Sequence, residues 1–87
     1  MDVFIYFYDV LPVALDELED ALDSGFSGIG EVTGTGTGEA GSNVDLEVTD
    51  SVPESQVIQI VRRTLSEFGI ATKTTVVIDG KRVQLLP

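Results

Sequence analysis

The residues able to do chemistry in this chain are almost all carboxylates. Its 87 residues carry 15 Asp and Glu against 5 Lys and Arg, a net charge of −10 at pH 7. Thirteen of those carboxylates precede the first base, Arg62. There is no histidine and no cysteine, which excludes Ser-His and Cys-His nucleophiles, disulfides, and imidazole or thiolate metal sites. Carboxylates alone can still hold a divalent cation, act as an acid–base pair in hydrolysis, or meet lysine and arginine on another protein.

The first two of those uses find little support. Calcium loops alternate oxygen ligands around a glycine and end on a bidentate glutamate. Asp16-Glu17-Leu18-Glu19-Asp20 lacks that spacing and falls in a helical pattern that splays its side chains. Glu31, Asp45 and Glu47 could converge across a hairpin, but no metal site and no cofactor is expected. Hydrolysis by a carboxylate pair needs a deep cleft, which a chain this short is not expected to form. No catalytic residue is assigned, and the chain is not expected to be an enzyme.

One phosphate-binding pattern is present in letters only. Gly36-Thr37-Gly38-Glu39-Ala40-Gly41 matches G-x-G-x-x-G. The dinucleotide version works because its last glycine opens a helix whose N-terminus meets the pyrophosphate. Here the residues that follow alternate as a strand, and Glu39 puts a negative charge inside the loop. The expectation is a flexible hairpin tip carrying Gly34, Gly36, Gly38 and Gly41.

The elements that must position these residues follow from periodicity. From Asp2 to Val10, Val3, Ile5 and Phe7 alternate with Phe4, Tyr6 and Tyr8, so both faces are apolar or aromatic, as in a central strand. Leu11-Pro12 breaks it, with Pro12 suited to the first turn of a helix. Leu15, Leu18 and Leu22 recur at helical spacing over Val13 to Asp23, and Gly25 is the expected C-cap. Ile29 to Thr35 reads as a weak strand, Gly36 to Ser42 as a turn, and Asn43 to Thr49 as a clearer strand with Val44, Leu46 and Val48 inward. Ser51-Val52-Pro53-Glu54 has the form of a capping box. It opens a second helix with Val57, Ile58, Val61, Leu65 and Phe68 as its buried stripe, ended by Gly69 with Ile70 packing back. Thr74 to Ile78 is a strand, Asp79-Gly80 a two-residue hairpin turn, and Arg82 to Leu86 a short last strand.

The order β-α-β-β-α-β with a C-terminal hairpin arm, in one domain spanning residues 1–87, resembles the ferredoxin-like split βαβ plan. The resemblance rests on element order and implies an α+β fold: an antiparallel sheet with two helices on one face and the other face open. RNA-recognition domains of similar topology stack bases on open-face aromatics, but in basic surroundings. Acylphosphatases also resemble this order and cradle phosphate with an arginine in the loop after the first strand. That loop here is Asp9-Val10-Leu11-Pro12, so the essential cation is missing.

Two candidate partner-binding surfaces follow. One is the acidic face of the first helix, where Asp16 with Asp20, and Glu19 with Asp23, are like charges four residues apart. Each such pair costs an isolated helix roughly 0.2–0.5 kcal/mol. A solubilising face or salt adaptation explains this arrangement about as well as a docking role does. The other surface is the open sheet face, with Phe4, Tyr6 and Tyr8 beside Glu31, Asp45 and Glu47. The resulting expectation is a non-enzymatic acidic module, of inhibitor, antitoxin or immunity type, covering a basic protein surface. The alternative is a small regulatory module that senses a ligand as a homodimer through the open face, similar in topology to amino-acid-sensing domains. Neither nucleic acid nor a membrane is expected as a partner, because the negative field repels phosphate backbones and anionic lipids. With no signal-peptide pattern and no long apolar run, a cytoplasmic location is expected.

Overall fold

A computed structural model describes residues 1–8, 11–38, 41–71 and 74–85. It has the elements β1 (Asp2–Phe7), α1 (Leu15–Gly25), β2 (Gly30–Gly38), β3 (Gly41–Val48), α2 (Glu54–Glu67), β4 (Thr74–Ile78) and β5 (Lys81–Val83). The five strands form one antiparallel sheet in the order β2-β3-β1-β4-β5. The class is α+β, as expected. The strand order differs from the expected ferredoxin-like sheet with a C-terminal hairpin arm: β5 pairs with β4 and makes a fifth strand of the sheet.

The period-two pattern of β1 explains its central place. Val3, Ile5 and Phe7 are buried on one side, together with Val44, Leu46 and Val48 of β3 and Val76 and Ile78 of β4. Leu18 and Leu22 of α1 join that cluster, as do Val57, Ile60, Val61 and Leu65 of α2. Both helices therefore cover the same side of the sheet, and the opposite side carries Phe4, Tyr6 and their neighbours.

Several local expectations are corrected. Pro12 lies in a bend before α1, which starts only at Leu15 with Ala14 as its N-cap. Gly25 is not the C-cap: it is the last helical residue, and Phe26 caps the helix. A Cβ at Gly25 would stand 3.2 Å from Ile60 Cγ2 and 3.3 Å from Thr64 Oγ1, so this glycine lets α1 approach α2. The left-handed turn after α1 falls instead on Gly28, with φ 85°. The capping box does not form: α2 has Pro53 as N-cap and no side-chain cap, and Ser51 Oγ donates to Thr49 Oγ1 at 3.5 Å. The buried stripe of α2 uses Ile60, while Ile58 and Phe68 are half-buried.

Two loop expectations hold. Gly69 ends α2 at φ 73°, with Ile70 N–H donating to Leu65 O at 3.1 Å and Gly69 N–H to Ser66 O at 3.0 Å. That pair of bonds is a Schellman closure, and the burial of Ile70 and Leu65 supplies its apolar contact. Asp79 and Gly80 both take positive φ, 49° and 79°, as a two-residue type I′ hairpin turn requires.

Candidate functional site

Direct cross-strand neighbours share a face of a sheet, so the register assembles the open side row by row. In one row Glu31 stands opposite Glu47, which stands opposite Asp2. The next runs Gly34, Asp45, Phe4, Val77, Arg82, and the third Gly36, Asn43, Tyr6, Thr75. The expected grouping of Phe4, Tyr6 and Tyr8 with Glu31, Asp45 and Glu47 is therefore present. Phe4 and Tyr6 are half-buried, while Tyr8 is 60% exposed. The Tyr6 and Tyr8 rings stack with centroids 6.5 Å apart and planes inclined by 18°.

The glycines expected in a flexible tip are corrected. Gly34, Gly36 and Gly38 belong to β2, and Gly41 opens β3. Between the strands lie only residues 39 and 40, outside the described residues, and with them Glu39 of the G-x-G-x-x-G letters. A one-residue bulge at Thr33 sets the glycines in place: the register passes from Val32 opposite Leu46 to Gly34 opposite Asp45. Every residue of β2 beyond the bulge that faces the open side is thus a glycine. Asn43 and Asp45 lean over this bare row. Asn43 Oδ1 lies 2.9 Å from where a Gly36 Cβ would stand, and Asn43 Nδ2 donates to Asp45 Oδ1 at 3.0 Å. Beside it Tyr6, Tyr8, Gly36, Gly38, Gly41 and Asn43 line a shallow trough.

The acidic face of α1 is exposed at Asp16, Asp20 and Asp23, and Glu19 is half-buried. Asp23 differs from the others, because its Oδ1 accepts the Val32 N–H at 3.1 Å. It ties the helix to β2 and is not simply a free surface charge. The α1 and open-face carboxylates remain separate groups flanking β2.

Among the described residues no base forms an ion pair with either surface. Arg62 Nε donates to Leu85 O at 2.6 Å and so holds the C-terminal segment. Arg63, Lys81 and Arg82 are exposed, and Lys73 lies outside the described residues. Among the described residues the one ion pair joins the N-terminal ammonium to Asp50 at 2.7 Å. That hydrogen bond holds the ammonium above its ordinary pKa of 8.0 and Asp50 below its ordinary 3.8. Also among the described residues, no three carboxylates are grouped so as to hold a metal ion, and no helix is long and apolar enough to cross a membrane.

Sequence reasoning missed Asp2, Asn43 and Arg82 on the open face. Period-two counting could have found Asp2 and Asn43, which share the parity of Phe4 and Asp45. A polar groove along α2, lined by Gln56, Gln59, Arg62, Arg63 and Gln84, was also missed. Gln56, Gln59 and Arg63 recur at helical spacing, which was its signal. No family model matches the chain, and neither a curated protein nor a solved structure matches it.

Proposed function

We propose that this chain is a non-enzymatic acidic protein-binding module, of inhibitor, antitoxin or immunity type, that covers a basic surface of a partner protein. The open sheet face carries the reading. Phe4 offers apolar area, Tyr6 and Tyr8 add polar tips, and Glu31, Asp45 and Glu47 beside them have no cationic partner among the described residues. Aromatic anchors within a charged rim suit a protein interface, and an excess of one sign steers a partner of the other. Phosphate backbones would be repelled. A cytoplasmic setting belongs to the same reading. So does the finer fold: β1 to β4 and the two helices follow the ferredoxin-like plan, with β3 lying between β1 and β2, β1 between β3 and β4, and β5 added at the edge.

The test is affinity capture from a lysate at low and high salt, with association rates measured for whatever is recovered. A basic protein whose association rate falls steeply with salt, and whose binding Phe4→Ala weakens, is expected. Recovery of no partner, or of one indifferent to salt, would overturn the reading. A second reading, a ligand-sensing homodimer, has one observation in its favour. Arg82 and Asp45 flank Phe4 in a single row, so a second copy turned about β1 would bring Arg82 toward Asp45.

A further inference from the structure

Past Val32, the outer side of β2 is an open hydrogen-bonding edge among the described residues. Among the described residues no strand pairs beyond β2 in the sheet. It has nine residues, against three in the opposite edge strand β5. The edge is lightly protected: β2 has the bulge at Thr33 and one charge, Glu31, but no proline and no lysine. The bond from Val32 N–H to Asp23 Oδ1 shows that Val32 points its backbone groups outward. Past the bulge at Thr33, strand alternation turns Thr35 and Thr37 outward, while Gly34, Gly36 and Gly38 bond inward to β3. Both threonines are exposed. No group among the described residues bonds to their outward backbone N–H and C=O.

Carboxylates flank that edge on both sides. Asp16, Asp20 and Asp23 share one face of α1, and Asp23 touches β2 at Val32. Because β1 and β2 are both antiparallel to β3, they run the same way, and α1 returns against them. Asp20 and Asp16 therefore climb beside β2 from the Asp23 contact. The seven residues from Asp23 back to Asp16 rise about 10 Å, close to the rise of three strand residues, which brings Asp16 level with Thr35 and leaves Asp20 between. On the other side stand Glu31 and, across the bare glycine row, Asp45.

We propose that β2 accepts an extended segment of the basic partner as a sixth strand, with lysine or arginine at alternating positions. Its backbone would pair with Thr35 and Thr37. Its lysine or arginine side chains, all on one face, would reach the α1 carboxylates, while the residues between them would lie over the bare glycine row. This inference rests on the reading of the chain as an acidic module for a basic protein. A second copy fits worse, since pairing two β2 edges would join the acidic flanks of chains that each carry −10.

The test uses a short blocked peptide alternating lysine and valine, with a glutamate–valine counterpart, and follows NMR shifts and amide exchange in the full chain. Exchange at Thr35 and Thr37 is expected to slow by about tenfold or more with the lysine peptide at low salt, and not with the glutamate peptide. Thr35→Pro removes one outward N–H and leaves the β2–β3 ladder intact, so it should abolish the slowing, whereas Gln59→Ala, exposed on α2, should not. Thr37→Pro makes the same cut nearer the strand end, should the first variant lose the native shifts of β1. If Phe4 and Tyr6 respond while Thr35 and Thr37 do not, strand addition is overturned and face docking stands. If neither surface responds, both readings fall. Slowing that grows with protein concentration alone would assign the edge to a second copy and overturn the proposal.

Discussion

Glu31 stands directly across from Glu47 in the β2–β3 ladder, two exposed carboxylates facing each other where an opposite-charge or apolar pair would be more stable. Asp2 continues the row on β1, and none of the three has a cationic partner among the described residues. Isolated stability does not favour this arrangement, so it bears on what the face meets. Glu31→Lys would convert the pair into an attractive one and move the net charge from −10 to −8. Stability should rise by about 0.2–1 kcal/mol, toward the lower end because both groups are exposed. Chemical denaturation at low salt measures the gain, and association with a basic partner should weaken in the same variant.

The carboxylates of α1 are not equivalent. Asp23 accepts the Val32 N–H at 3.1 Å, while Asp20 makes no bond among the described side-chain contacts and stands four residues from Asp16. Asp23→Ala is expected to cost about 0.5–1.5 kcal/mol through the lost hydrogen bond. Asp20→Ala should be neutral or stabilise by about 0.2–0.5 kcal/mol, because a like-charge pair disappears. Thermal melts of the two variants side by side would show the contrast. Equal losses would mean that the Asp23 bond contributes nothing.

Gly41 has φ 132°, and a Cβ there would collide with Phe7 O. Both the backbone and the space therefore demand glycine. Gly41→Ala should destabilise by about 1–3 kcal/mol. Gly38→Ala, where nothing lies within 4 Å of the added atom, should stay within about 0.5 kcal/mol of the parent. Equilibrium unfolding compares them.

The central strand was legible because Val3, Ile5 and Phe7 alternate with aromatics, and only a two-faced interior position satisfies that pattern. Asp79-Gly80 was legible because few sequences tolerate two positive φ values in succession. The grouping of Phe4, Tyr6 and Tyr8 with Glu31, Asp45 and Glu47 followed from the same period. What failed were features set by tertiary contact. Gly25 reads as a helix stop but is a spacer against Ile60 and Thr64. Ser51 has the letters of a cap, yet its hydroxyl turns to Thr49. Composition suggested a glycine loop where the chain continues as strand, because the Thr33 bulge and its register depend on β3 and not on local preference.

The bond between the N-terminal ammonium and Asp50 predicts a pH window. Asp50 has a lowered pKa in the fold because it accepts that bond. Its contribution is therefore present above 3.8 and lost as pH falls through the folded value. The ammonium is raised by the same bond, so its contribution is present below 8.0 and lost as pH rises through its folded value. The pair supports the fold on a plateau between those limits, modestly, because it is exposed to solvent. Asp50→Asn should lower stability at neutral pH. The difference from the parent should shrink toward zero at either end, as denaturation midpoints across the pH range would show.

Tyr8 separates binding from folding more cleanly than its neighbours do. It is 60% exposed at the end of β1, whereas Phe4 and Tyr6 are half-buried in the middle rows and pack against their cross-strand partners. Its one aromatic contact is the stack on Tyr6 at 6.5 Å. Removing an exposed ring should change stability by no more than about 0.5 kcal/mol, while a tyrosine that anchors an interface is commonly worth about 2 kcal/mol of binding. Tyr8→Ala should therefore leave the melting curve close to the parent's and weaken association with a basic partner by about thirtyfold. Tyr6→Ala should lower both, since it leaves a gap beside Asn43 and Thr75. Calorimetry of binding beside thermal melts resolves the two effects. A Tyr8→Ala variant that binds as tightly as the parent would remove this end of the open face from the interface and confine it to Phe4 and its acidic row.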